Sequence, residues 1–124
     1  MKQDVDKLLL LRYLSAVGTV ILASKNCPKC PIYCREILQM VLYLRFTPDP
    51  KIQTSVLSII ASIAVALPES FLKGEYYEVM MELSSWLVDC LTNADLTHRL
   101  GGPKSDAFSF AREVLQLLES VLSE

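Results

Sequence analysis

The run Leu44-Arg45-Phe46-Thr47-Pro48-Asp49-Pro50-Lys51-Ile52-Gln53-Thr54 decides how this chain folds. Two prolines bracket an aspartate within it. A proline has no backbone N–H and breaks a hydrogen bond when placed in a helix interior. A helix arriving at Phe46 therefore stops there. Asp49 is well placed as an N-cap, accepting from the free N–H groups of a new helix, and Pro50 suits the first helical position. The stretch reads as a tight stop and restart between two helices.

On both sides, apolar residues recur at three- and four-residue steps. Upstream, Ile37, Val41 and Leu44 form one stripe and Leu38 and Leu42 a second, which predicts a helix over residues 32–46. Downstream, Ile52, Val56, Ile59, Ile60 and Ile63 predict a helix over residues 50–67. Pro68 ends it, because the residue before a proline is pushed away from helical geometry. Ser55, Ser58, Ala61, Ser62, Ala64 and Ala66 keep this helix slim enough to pack closely between neighbours. A leucine-rich helix, a tight Asp-Pro turn and a second helix of small residues resemble a HEAT repeat, the unit of a helical solenoid.

The rest of the chain extends the pattern. Val5, Leu8, Leu9, Leu14, Val17 and Ile21 predict a helix over residues 4–24. Leu10 and Leu11 widen its stripe, so it is expected to be covered on more than one side. Pro28 and Pro31 interrupt the helical pattern over residues 25–31. Beyond Gly74, a fourth helix carries Tyr76, Val79, Met80, Leu83, Trp86, Leu87, Cys90 and Leu91 on one side. Glu75, Glu78, Glu82 and Asp89 occupy much of the other. Residues 92–104 hold Asn93, Asp95, Gly101, Gly102 and Pro103 and read as a loop. From near Ser105, Ala107, Ala111, Val114, Leu115, Leu118, Val121 and Leu122 draw a final amphipathic helix. The expectation is an all-α chain, a HEAT/ARM-like helical-repeat solenoid segment of about five helices. Residues 1–124 are expected to form a single α-helical repeat domain, the C-terminal part of a longer solenoid.

Composition agrees. Hydrophobic residues make up 52% and charged residues 21% of the 124 residues, too apolar for disorder. A mean hydropathy of +0.34 is high for a free-standing domain of this size. The expected cover for the excess is more of the same protein upstream. The stretch 8–23 is broken by Arg12 and falls short of the ~20 apolar residues of a membrane span. Asp4 and Asp6 argue against a signal peptide.

Charge is unevenly placed. Up to Leu67 there are eight basic and four acidic residues; from Pro68 onward there are four and ten. This pattern fits solvated helix faces, or a dipolar module with one basic and one acidic contact surface. The basic residues are dispersed and lack aromatic interleaving, so no direct nucleic-acid binding is expected.

Chemistry-bearing residues are few. Cys27, Cys30 and Cys34 are the sharpest candidate, because thiolates at such spacing can hold zinc; a fourth ligand would have to be Cys90 or His98. Reduced structural thiols are the competing reading. His98 is the sole histidine and has no paired nucleophile or carboxylate. Glu78 and Glu82 lie one turn apart and read as a solvated face. Trp86 and the Tyr76-Tyr77 pair suit either a core or an interface anchor, with Trp86 on the core stripe. Arg45, Asp49 and Lys51 read as solvated turn charges, or as partners for an adjoining repeat. No nucleophile, base and orienting group can be assembled, so neither enzymatic activity nor a cofactor is expected.

From Val41 onward the chain resembles the C-terminal region of the telomere length regulation protein (Tel-two) family. Val56-Leu57, Leu67-Pro68, Trp86-Leu87-Val88-Asp89 and residues 114–118 carry the resemblance by their order and spacing. One departure follows Asp89: Asn93-Ala94-Asp95 leads into a longer loop with His98, Gly101 and Gly102. Ala107-Phe108 then stand where the family has a Cys-Arg pair. The resemblance implies a scaffold in the three-protein TTT assembly, in cytoplasm and nucleus. Its implied partners are the other TTT subunits, phosphatidylinositol-3-kinase-like kinases and the heat-shock protein ninety machinery. The competing readings are an unrelated HEAT-repeat adaptor and a small zinc-binding regulator built on Cys27, Cys30 and Cys34.

Overall fold

The computed structural model describes residues 2–123, with side chains from residue 5 onward. Among the described residues the chain is all helical, with no strand. The helices are α1 (Lys2–Ala23), α2 (Cys30–Leu44), α3 (Pro50–Ala66), α4 (Glu69–Leu72), α5 (Tyr77–Thr92), α6 (Ala94–Arg99) and α7 (Asp106–Leu122). The five long helices match the sequence reading. Two short ones, α4 and α6, replace stretches expected to be loops.

The α2–α3 turn forms as its residues dictate. Asp49 adopts extended backbone, and its carboxylate accepts from the N–H groups of Lys51 and Ile52 at 2.9 and 3.3 Å. Gln53, buried on the first turn of α3, donates through Nε2 to the carbonyls of Arg45 and Thr47. The end of α2 is thereby tied to the start of α3. Helix α2 begins at Cys30, two residues before its expected start, because Pro31 sits in the first turn, where a missing N–H costs nothing.

Helix α3 is the hub. It packs against α1, α2 and α7, and its slimness allows this. Val56, Leu57, Ile60 and Ile63 have no exposed surface, and Ser62, Ala64 and Ala66 are buried beside them. Burying each large aliphatic side chain contributes about 1.5–3 kcal/mol. Gly18 of α1 faces this helix; a Cβ built there would lie 3.7 Å from the Ser62 hydroxyl oxygen. Helix α1 buries Leu14 and Ile21 on the same side.

Helix α5 packs against α7, and α7 against α3. Helices α1, α3 and α7 thus form one row, with α3 in the middle. Helices α2 and α5 form a second row, linked by side chains. Arg45 Nη2 donates to Glu82 Oε1 at 2.8 Å, Arg35 pairs with Glu75, and the Tyr76 hydroxyl donates to the Pro31 carbonyl. One contiguous apolar core runs between the rows, from Leu14 to Leu118.

The connections are built structures. Helix α4 inserts Leu72 into the core. Asn93 caps α6 by accepting from the N–H groups of Asp95 and Leu96. After α6, Leu100 is buried, and Gly101 and Gly102 have φ of 97° and 101°. Side chains rarely adopt that backbone region, so the two glycines suit this reversal. Ser105 then caps α7, its hydroxyl accepting from Phe108 N–H at 3.1 Å.

Candidate protein-interaction surfaces

Two of the three charged turn residues, Arg45 and Asp49, are paired rather than solvated. The Arg45 side chain is only 12% exposed. It donates to the Leu42 carbonyl and to Glu82, and its guanidinium lies 4.3 Å from the centre of the Phe46 ring. Asp49 caps α3 and also pairs with Lys7 of α1. Burial pushes the Asp49 carboxyl up, but the Lys7 hydrogen bond, the Ile52 and Lys51 N–H groups and the Lys7 charge together hold it below the usual aspartate value. The reading of these residues as solvated charges is therefore corrected for Arg45 and Asp49, which join helices. Glu82 stays on its exposed face and bridges to Arg45 from there, and Lys51 and Glu78 are exposed as well.

The cysteines divide by burial. Cys30 and Cys34 face each other one turn apart on α2, with Sγ atoms 4.0 Å apart, and both are buried. Burial, reinforced by the neighbouring Cys30, pushes the Cys34 thiol up to about 12. Cys27 is exposed, and Cys90 is buried on α5. Burial, then the Asp89 charge, pushes Cys90 up to about 12. Among the described residues, no group of three or more histidine, cysteine or carboxylate side chains could hold a metal ion. His98 is exposed on α6. Trp86 and Tyr76 belong to the core, whereas Tyr77 is exposed.

The expected cover over several sides of α1 is found only in part. Leu14, Gly18 and Ile21 are buried, and Leu10, Leu11 and Val17 beside them are partly buried against the core, while the opposite side is open. Val5, Leu9, Tyr13 and Val20 recur on the opposite side and are all more than half exposed. Between α1 and α2 lies an open groove of about 530 Å³, lined by Tyr13, Val17, Val20, Tyr33, Glu36 and Ile37. At the other end of the rows, a groove of about 430 Å³ runs between α5 and α7. Tyr77, Met81, Val88, Leu115 and Leu122 supply its apolar lining. Sequence reasoning missed these faces as sites, because α1 and α5 carry apolar residues on the buried and the open side alike. A third groove, of about 350 Å³, lies between α1 and α3 and is lined largely by hydroxyls, including Ser15, Thr19, Thr54, Ser55 and Ser58.

Grooves between helices with apolar floors are the geometry of protein docking, where an amphipathic helix lays its apolar side into the channel. No described helix is long and apolar enough to cross a membrane. The chain is similar to the human telomere length regulation protein TEL2 homolog, with 25% identity over 114 residues. That similarity covers 92% of this chain but only 13% of the relative. No family model matches the chain, and no solved structure matches it.

Proposed function

We propose that this chain is a HEAT-like helical-repeat scaffold that binds other proteins and works as the telomere length regulation protein does in the TTT assembly. In that role it supports the folding, assembly and stability of phosphatidylinositol-3-kinase-like kinases, together with the heat-shock protein ninety machinery, in cytoplasm and nucleus. It acts without catalysis and without direct contact to nucleic acid. The observation that carries the reading is the pairing of helices. Helices α2 and α3 form one hairpin, α5 and α7 a second, and α1 stands where the inner helix of a preceding hairpin would. Two parallel rows built this way suit a solenoid, whose repeats contact only their neighbours. Similarity to the human protein along nearly the whole chain supports the assignment of role.

Affinity purification of the tagged chain from cells tests this. Co-purification of the TTT subunits and of phosphatidylinositol-3-kinase-like kinases is expected. Recovery of neither sinks the proposal.

A further inference from the structure

The turn from α1 to α2 holds Cys27-Pro28-Lys29-Cys30, and Cys34 follows one turn along α2. Cys27 is exposed, whereas Cys30 and Cys34 are buried. We propose that Cys27 and Cys30 form a site of thiol–disulfide exchange. A small anionic disulfide, such as glutathione disulfide, reacts at Cys27, and Cys30 resolves the product into an internal Cys27–Cys30 bond.

The backbone brings the pair together. The Cys30 N–H donates to the Cys27 carbonyl at 3.0 Å, closing the four residues into a turn. Such a turn holds its end Cα atoms within about 7 Å, and a disulfide spans about 4.4–6.8 Å between them. Cys27 lies at the surface, so its side chain can rotate towards Cys30 without disturbing the core. The Tyr76 hydroxyl bonds the carbonyl of Pro31, which anchors the residue next to Cys30 while Cys27 is modified. Cys34 is a poor rival as resolver. Its Sγ is 4.0 Å from that of Cys30, but burial keeps its thiol protonated, and the thiolate is the attacking form. Lys25 and Lys29 are exposed on either side of Cys27, and no acidic residue occurs in the sequence between Asp6 and Glu36. The turn therefore draws an anionic reagent. It lies at the ends of α1 and α2, so a hairpin stacked along the open side of α1 leaves it uncovered.

The chemistry balances in two exchanges. The Cys27 thiolate attacks one sulfur of the small disulfide, forming a mixed disulfide and releasing one thiolate. Cys30 gives its proton to water and attacks Cys27 Sγ, forming the internal bond and releasing the second thiolate. The chain loses two electrons and two protons, and the reagent leaves as two thiols. Excess thiol runs the same steps backwards.

Reaction of the purified chain with dithiobis(nitrobenzoate), an anionic disulfide whose released thiolate is coloured, tests this. The wild-type chain is expected to release one thiolate in a fast step whose rate rises with reagent. A second is expected in a slower step whose rate is independent of reagent, leaving a chain lighter by two hydrogens and free of adduct. Glutathione disulfide is expected to give the same mass. Cys30→Ala is expected to stop after one release and keep the adduct, and Cys34→Ala to behave as wild type. A wild-type chain that keeps a stable adduct after one release overturns the proposal, as does one that glutathione disulfide leaves unchanged. So does arrest at the adduct in Cys34→Ala with normal completion in Cys30→Ala, which would make Cys34 the resolving thiol.

Discussion

The Tyr76 hydroxyl donates to the Pro31 carbonyl, joining residues far apart in sequence where α2 begins and α5 begins. Tyr76 is buried, so its ring packs in the core while its oxygen reaches across to the other helix. Removing only the oxygen isolates the bond. Tyr76→Phe is expected to lower unfolding stability by about 1 kcal/mol, the usual net worth of such a bond. Removing the ring as well, in Tyr76→Ala, is expected to cost about 3–5 kcal/mol through the cavity left behind. Urea denaturation of the two variants separates the contributions.

Asp49 has two roles, and pH distinguishes them. Its carboxyl is held below the ordinary aspartate value of about 3.9 in the folded chain. A group lowered in this way stabilises the fold above its unfolded pKa and loses that contribution as pH falls through the folded one. Asp49→Ala is expected to cost about 1–2 kcal/mol at neutral pH through the lost cap. Asp49→Asn keeps a capping oxygen but loses the Lys7 pair, so a smaller cost is expected. That cost should begin to shrink as pH falls through the ordinary aspartate range, and vanish only once pH is below the lowered folded value, where wild-type Asp49 is protonated as well. Denaturation curves at neutral and acid pH provide the check.

Gly18 lies where α1 meets α3. A single added carbon would meet Ser62 at ordinary contact distance. Gly18→Ala is therefore expected to be tolerated and to stabilise by about 0.5–1 kcal/mol, since glycine is the poorer helix former. Gly18→Leu would lay a longer apolar side chain against Ser62 and the hydroxyls of the groove that Gly18 itself lines, and is expected to forfeit that gain, with a melting temperature at or below wild type. Thermal melts read both substitutions.

Thiol reactivity should follow burial. Only Cys27 is exposed among the four cysteines, and Cys34 and Cys90 are held protonated far above neutral pH. A thiolate, not a thiol, attacks a disulfide reagent. One fast-reacting thiol is expected in the native protein, and four after denaturation. Cys27→Ser should abolish the fast phase. Slow reaction of Cys27 in the native chain would instead indicate that something shields it, as a bound metal would.

Periodicity made the five long helices readable because each spans several turns and repeats its apolar step. Helices α4 and α6 stayed hidden for the converse reason. Four and six residues cannot display a 3.6-residue period, and Asn93, Asp95 and Gly101 carry the composition of a loop. The cap at Asp49 was legible, since N-capping is local chemistry. The bridge from Arg45 to Glu82 was not, because two charges 37 residues apart reveal their meeting only when α2 and α5 are side by side. The open faces were hidden by the same limit. On α1 the exposed Leu9 and the buried Leu14 look alike in a list of residues, and only packing tells them apart.

The bonds that close the turn at Gln53 are local, although Asp49 and Arg45 also reach Lys7 and Glu82. Its cap, its prolines and the amide spanning it all fall within residues 45–53, and none of those bonds needs another helix. Such a reversal is portable: it can be duplicated or transplanted with its two helices and still bend correctly in its new surroundings. The joint between α5 and α7 lacks this independence, for it depends on Leu100 finding the core. Evolution could therefore copy the first hairpin as a cassette, while the second could only be tailored in place.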